Sequence, residues 1–338
     1  MKKVNIIFDM QGGDNSPNAN IEAVIKFIKE SESFLTLVGN KEIIENELKK
    51  QLNEQELSKI TFIDAKEEIK MEDNPTLAIK KKKDSSMVIA LETLKEGKGD
   101  VLVSAGNTGA LLTGATLKVG RIKGIRRPAM IAPVNILGAN FILLDTGANV
   151  DPKEEYLGQF AMMGTIYKRE VDKIENPKVG LLNIGTEENK GNEFTKNVFE
   201  YLKENQEQLG INFVGNIEAR DVFISNIDVL ISDGFTGNIF LKSIEGLGKT
   251  IKNSFKEFFK NLGIKVLFVL PLKRNLKEYM NGLDYKKMGG GLFLGVKSPV
   301  IKAHGSSDAT SFYYTLKQAE KIAKENINSK IEEKLSNN

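Results

Sequence analysis

Four segments place glycine beside hydroxyl, amide or charged side chains directly after an apolar run. They are SAGNTGA at 104–110, GTEENKGNE at 185–193, DGFTGN at 233–238 and HGSSD at 304–308. Glycine lets backbone amides approach an oxygen-rich group, and the start of a following helix presents N–H donors without intrahelical partners. Any one such loop is equally an ordinary turn or helix cap. Their recurrence points to a phosphate-containing or otherwise oxygen-rich ligand. The candidate contacts are Ser104, Asn107, Thr108 and Gly109; Gly185, Glu187, Lys190, Gly191 and Asn192; Asp233, Gly234, Gly237 and Asn238; and His304, Gly305, Ser306 and Ser307. DMQGGD at 9–14 adds Gly12, Gly13 and Asp14. None of these segments has the order of a Walker loop or a dinucleotide fingerprint.

Composition narrows the chemistry further. The 338 residues include no cysteine and one histidine, His304. Thiolate nucleophiles, disulfides, iron–sulfur ligation and thiol-rich zinc sites are therefore excluded. One imidazole cannot build a multi-histidine metal centre within a subunit. Scattered Asp9, Asp14, Asp145 and Asp233 follow apparent strands without ligand spacing, so no metal site is assigned. A serine nucleophile at 306 or 307 would lack the GxSxG elbow. His304 reads either as a structural histidine bonded to backbone or as a donor beside amides and hydroxyls that hold phosphate.

The elements that must position these residues alternate between strand and helix. Short apolar runs at 4–8, 34–38, 61–63 and 101–104 lead into polar breaks and helical patterns, and FILLDTGAN, VGLLNIGTEENKGN and VLISDGFTGN repeat the unit. Near-continuous apolar strands with glycine-containing exits predict an α/β fold, an open and mostly parallel sheet covered by helices. At the carboxyl ends of such strands the exit loops meet at a ligand crevice. Residues 41–57 read as helix-forming, and the chain from Ala309 as one long helix with a frayed end. No repeat or long linker divides the chain, so residues 1–338 are expected to form a single two-lobed catalytic unit. A net charge of +3 nominates no nucleic acid. The apolar stretch from Ile131 to Leu144 is too short and interrupted to span a membrane, and no signal segment opens the chain, so the cytoplasm is the expected location.

Several long motifs in order carry a resemblance. DMQGGDNSP at 9–17, KKKDSSM at 81–87, SAGNTGALLTGA at 104–115, GRIKGIRRPA at 120–129 and LLDTGANVD at 143–151 occupy the first half. GLLNIGTEENKGNE at 180–193, GNIEARD at 215–221, SDGFTGN at 232–238 and IKAHGSSD at 301–308 follow. The chain resembles, over essentially its whole length, the bacterial phosphate acyltransferase (PlsX-like) family of phospholipid synthesis. That resemblance implies transfer of a fatty acyl group from acyl carrier protein to inorganic phosphate, giving acyl phosphate. It also implies an isocitrate/isopropylmalate-dehydrogenase-like fold, a homodimer and no cofactor. Met10-Gln11 departs from the family's usual Ala-Met pair, Asn15 sits where histidine is frequent, and Tyr156 where histidine is expected.

With no cysteine present, direct attack by phosphate is the simpler route, and catalysis falls to positioning and stabilisation of oxygen charge. His304, Lys190, Asn107 and Asn238 are the catalytic candidates, with phosphate placed near Lys190, the 185–192 loop and the 304–307 loop. Lys81, Lys82, Asp145 and Asn149 join the substrate-binding candidates. Lys118, Arg121, Lys123, Arg126 and Arg127 form a basic cluster that is either a solvated helix end or a docking face for the acidic carrier protein. Phe255, Phe258, Phe259, Leu262, Leu267 and Phe268 lie in 244–281, read as an amphipathic helical hairpin that projects. It touches anionic membrane, making the protein peripheral at the inner face of the cell membrane, or packs against a subunit. The downstream glycerol-phosphate acyltransferase is a further implied partner. The alternatives are a phosphate acetyltransferase-like enzyme using acyl-CoA, an NAD-dependent hydroxy-acid dehydrogenase, and a noncatalytic binder of the carrier protein.

Overall fold

The computed structural model describes residues 3–136, 138–261 and 289–336. Its first strands are β1 (Asn5–Asp9), β2 (Phe34–Gly39), β3 (Ile60–Asp64) and β4 (Val101–Ser104). Between them lie helices α1 (Asn18–Glu30), α2 (Lys41–Lys49), α3 (Glu54–Leu57), α4 (Pro75–Lys81) and α5 (Ser86–Lys95). Helix α6 (Thr108–Gly114) follows β4 and runs into a π-helical turn at Ala115–Val119. The interrupted apolar stretch forms an antiparallel pair, β5 (Ala129–Ile136) and β6 (Ala139–Leu144). Then come α7 (Glu154–Asp172), β7 (Lys178–Asn183), α8 (Glu193–Leu209), β8 (Asn212–Glu218), β9 (Val229–Ile231) and α9 (Gly234–Asn261). Strands β10 (Gly291–Leu294) and β11 (Val300–Lys302) precede α10 (Ala309–Glu325) and α11 (Ile327–Ser336).

These strands build one eleven-stranded sheet in the order β3-β2-β1-β4-β11-β10-β5-β6-β9-β7-β8. The pairings are parallel from β3 to β11 and again from β6 to β8, but antiparallel across β11-β10-β5-β6. Three reversals set the two parallel blocks in opposite senses. The apolar strands are buried on both faces, as a sheet covered by helices requires.

One face carries a continuous layer. Phe27 of α1, Phe160 of α7, Val198 of α8 and Phe312 of α10 share a single core that spans both blocks. Phe8 and Phe312 meet edge to face at 5.5 Å within it. The other face carries two separate clusters. Ile79, Leu91 and Leu111 cover the first block, while Leu182, Val222, Leu230 and Ile244 cover the second. Helices α6 and α9 border the gap between them.

Two helical expectations break where the backbone leaves the helix. Residues 41–57 divide into α2 and α3, because Asn53 closes a capping box with Glu56 and starts a new helix. The C-terminal helix divides at Asn326, whose φ of +50° ends α10. Of the projecting hairpin, residues up to Asn261 continue α9 as one helix, and the rest of it lies outside the described residues. Among the described residues no helix is long and apolar enough to cross a membrane.

Candidate active site

Strand exits from the first block build one wall of a cleft of about 500 Å³, lined by residues after β4 and from the end of β11, with the β1 exit packed behind them. Asp9 ends β1, Ser104 ends β4 and Lys302 ends β11, with Lys302 in register beside Ser104. Ser104 Oγ donates to Asp9 Oδ2 at 2.7 Å and accepts from Gly106 N at 3.1 Å. Gly12 has φ +85°, and a Cβ there would sit 2.8 Å from the Cα of Gly106, so conformation and close approach both require glycine. The 304–307 turn is clamped from the same side. Asp14 N donates to Gly305 O at 2.9 Å, and Asn15 Nδ2 donates to Ser307 O at 3.1 Å. Asn15, the departure from histidine, thus acts on the loop that holds the only imidazole.

The second block supplies the opposite wall. Asp145 at the end of β6 is buried and accepts from Met130 N at 2.9 Å and from Asn149 Nδ2 at 2.9 Å, which ties the exit loop to β5. Asp233 caps α9 by accepting from Phe235 N and Thr236 N at 2.9 and 2.8 Å. Gly234 N donates to Asn149 O at 2.7 Å, so the start of α9 rests on the β6 exit. A Cβ at Gly237 would fall 2.0 Å from Asp145 O. This contact places Asn238 beside Gly147 at the cleft wall.

Of the sequence candidates, Thr108, Gly109, Asn238, His304, Gly305 and Ser307 line this cleft together. Gly12, Gly13, Asp14 and Ser104 support it from behind. Asn107 has a different position. Its Oδ1 accepts from Ala110 N, capping α6, and its Nδ2 donates to the carbonyls of Lys70, Met71 and Asp73. Those bonds hold the loop and occupy both ends of the amide. Asp145, Asp233, Gly234 and Gly237 likewise shape the walls, while Ser306 bonds His304. Ser306 N donates to His304 Nδ1 at 3.3 Å, which makes Nδ1 the acceptor and leaves Nε2 as the protonated nitrogen of neutral imidazole. Nε2 has no partner among the described residues.

Lys190 and its loop are not brought to the cleft. Strand β7 lies beyond β6 and β9 in the sheet, and no residue of its exit loop lines the cleft. The loop is stitched to the edge strand β8: Asn183 Nδ2 donates to Asn216 Oδ1 at 3.1 Å, and Asn216 Nδ2 donates to Glu187 O at 2.9 Å. Lys190 Nζ faces Glu187 at 3.8 Å, Asn192 caps α8, and Gly185 and Gly191 pack within the loop. Lys81 is exposed at the end of α4, and Lys82 pairs with Asp73 at 2.5 Å. Neither lysine lines the cleft.

Sequence reasoning missed Lys302, Glu245 and the second role of Asp9. Burial pushes the Asp9 carboxyl up to about 6, against hydrogen bonds from Ser86 and Ser104. Desolvation lowers Lys302 to about 8, partly offset by Asp9 and Asp14. Burial raises Glu245, partly offset by the neighbouring His304 and Lys242. The available signals were a lysine closing the apolar run PVI and a glutamate seven residues after Asn238, on the same helix face. Met130, Ala132, Pro133 and Leu241 add apolar lining to the cleft. Among the described residues no cluster of histidine, aspartate and glutamate could hold a metal ion.

A second cleft, of about 590 Å³, shares Leu112 with the first. Gly147 lines one cleft while its neighbours Ala148 and Asn149 line the other, so the two adjoin. Arg121, Arg126 and Arg127 line the second with Thr113, Thr116 and Tyr156, and no acidic residue joins them. Lys118 is paired with Glu92 at 2.6 Å, and Lys123 is exposed outside it. On the last turns of α9, Phe258 is 58% exposed, while Phe255 and Phe259 are half-buried. Leu262, Leu267 and Phe268 lie outside the described residues.

Comparison with known proteins places this architecture in a family. The model for the family described as "Fatty acid synthesis protein" matches residues 4–330. The phosphate acyltransferase of Bacillus licheniformis is 43% identical over 332 residues, covering 98% of each chain. Among solved structures, the EutD phosphotransacetylase of Staphylococcus aureus superposes with a TM-score of 0.62 at 13% identity, over 95% of this chain and 94% of that one. A Salmonella typhimurium protein assigned as a 4-hydroxythreonine-4-phosphate dehydrogenase gives 0.53 at 12% identity, over 95% and 100% of the two chains. The structural likenesses establish a fold shared with a dehydrogenase-like protein, as expected. With the motifs in order and the family match spanning nearly the whole sequence, the chain belongs to the phosphate acyltransferase family of fatty acid synthesis proteins.

Proposed function

We propose that this phosphate acyltransferase moves a long-chain acyl group from the thioester of acyl carrier protein to inorganic phosphate, supplying acyl phosphate for membrane phospholipid synthesis. In the reaction an oxygen of hydrogen phosphate attacks the thioester carbonyl carbon. The C–O bond forms, the C–S bond breaks, and the phosphate proton leaves with the sulfur as a free thiol. No enzyme-bound acyl group is needed. The observation that carries this reading is one cleft whose lining joins apolar Met130, Pro133 and Leu241 to polar His304, Ser307 and Asn238. An acyl chain suits the apolar residues and a phosphate the polar ones. His304 Nε2–H and the Asn238 amide are assigned as donors to oxygen charge that develops at the carbonyl, where a fixed donor is worth more than water.

The arginine-lined cleft beside it suits the acidic carrier or the phosphate of its prosthetic arm. The same chemistry favours a second reading, an acyl-CoA donor. Peripheral membrane contact through Phe255, Phe258 and Phe259, a homodimer, and hand-over to a glycerol-phosphate acyltransferase complete the proposal. Purified protein incubated with phosphate and matched acyl-ACP or acyl-CoA tests it directly. Acyl phosphate from acyl-ACP is expected. Product from acyl-CoA alone overturns the carrier assignment, and none from either donor overturns the reaction.

A further inference from the structure

Lys302 closes β11 at the cleft and is only 8% exposed. Its Nζ donates to Ala105 O at 3.1 Å and to Ala303 O. An ammonium has three N–H donors, so one remains. Among the described residues no carboxylate reaches Nζ within ion-pair distance. The nearest charges, Asp9 on β1 and Asp14 in the following loop, act on it only through space. A buried charge without a counter-ion is costly, and that cost is relieved when an anion arrives. The two carbonyl contacts fix the nitrogen at the junction of the β4 and β11 exits, beside His304 and Ser307. Lysine serves as a point charge for phosphate.

We propose that Lys302 anchors the acceptor phosphate, its third N–H donating to a phosphate oxygen, an inference that rests on the acyl-transfer reading of this site. The lysine makes the cleft selective for an anionic acceptor and holds it against the thioester carbonyl. Removing a charge-assisted contact of this kind weakens binding roughly tenfold to hundredfold. K302M is expected to raise the KM for phosphate by that factor, with the KM for the acyl thioester changed less than twofold. KM is insensitive to the folded fraction of enzyme, so a partly unfolded K302M still reports. K302R, which keeps the charge, should recover much of the phosphate affinity.

A pH series adds a readout that a purely structural lysine would not give. Asp9, Asp14, Lys242, Glu245 and His304 are the titratable groups around Lys302 and the cleft at this point. The wild-type phosphate KM should climb above pH about 8 as the ammonium is lost, and K302R should flatten that climb. An unchanged phosphate KM in K302M, or a parallel rise for both substrates, overturns the anchor. If the wild type makes no acyl phosphate, the reaction assignment fails. Calorimetric titration of wild type and K302M with inorganic phosphate then decides the anchor separately: weaker binding by K302M supports it, and equal binding overturns it.

Discussion

Adding one methyl group at Gly237 should separate catalysis from global folding. Its Cβ would meet Asp145 O at 2.0 Å, about 1.4 Å short of ordinary contact, and Ser232 Oγ at 2.6 Å. Asp145 O belongs to the backbone of a loop whose carboxylate is hydrogen-bonded to Met130 N and Asn149, so it cannot yield cheaply. The start of α9 must move instead, carrying Asn238 away from the cleft. A displacement near 1 Å at a reacting centre costs about a hundredfold in rate. Overpacking costs about 1–3 kcal/mol, which for a chain of this size lowers the melting temperature by roughly 1–4 °C. G246A on the same helix is the control, because its Cβ would meet nothing within 4 Å. There the gain in helix propensity is roughly 0.5–1 kcal/mol, and activity should be unchanged. The pair is assayed by acyl phosphate formation and thermal melting. Wild-type rate and melting temperature in G237A would refute the close approach and its role in placing Asn238.

Asp9 should shape stability in acid. Its folded-state value of about 6 exceeds the ordinary 3.8, so the folded protein holds this proton more tightly than the unfolded chain. That contribution is full below 3.8 and is lost as pH rises through about 6, on the order of 3 kcal/mol. D9N should remove the loss, so the melting temperature of wild type relative to D9N should fall between pH 4 and 6.5; parallel curves would refute it. R126E/R127E should raise the KM for the acyl donor more than that for phosphate, and equal kinetic constants would exclude the arginine cleft from donor binding. N15A deletes the hydrogen bonds to Ser306 O and Ser307 O, with a stability loss of about 0.5–1.5 kcal/mol and a several-fold higher phosphate KM. A melting curve and phosphate kinetics identical to wild type would show that the clamp is dispensable.

The strands and their exits were legible because each apolar run stops at a glycine-containing turn. SAGNTGA, DGFTGN and HGSSD could be gathered from that pattern alone, and the structure brings residues of all three to one cleft. GTEENKGNE has the same local signature and lies elsewhere. Loop chemistry does not encode strand order, and the position of β7 beyond β9 is settled by the packing of the whole sheet. Asn107 shows the converse limit: an amide in a glycine loop reads as a ligand or as a cap, and only its four hydrogen bonds distinguish these. Lys302 escaped notice because it ends an apolar strand, where its charge has no meaning until the burial of Nζ and the two carbonyl contacts are seen. The break at Asn326 depends on a single backbone angle rather than on the periodicity either side of it.

The place of β11 has a consequence for how the chain is made. It sits between β4 and β10, yet it is the final strand in sequence, emerging almost two hundred residues after its neighbour β4. Until then β4 presents an unpaired, apolar edge, the kind of surface that recruits other strands. The nascent chain must keep that edge covered while the second block is synthesised, and the pairing that finally fills it is among the most non-local in the fold. Lys302 and His304 arrive with that strand. A ribosome product cut short after β9 therefore has an open sheet as well as half a cleft.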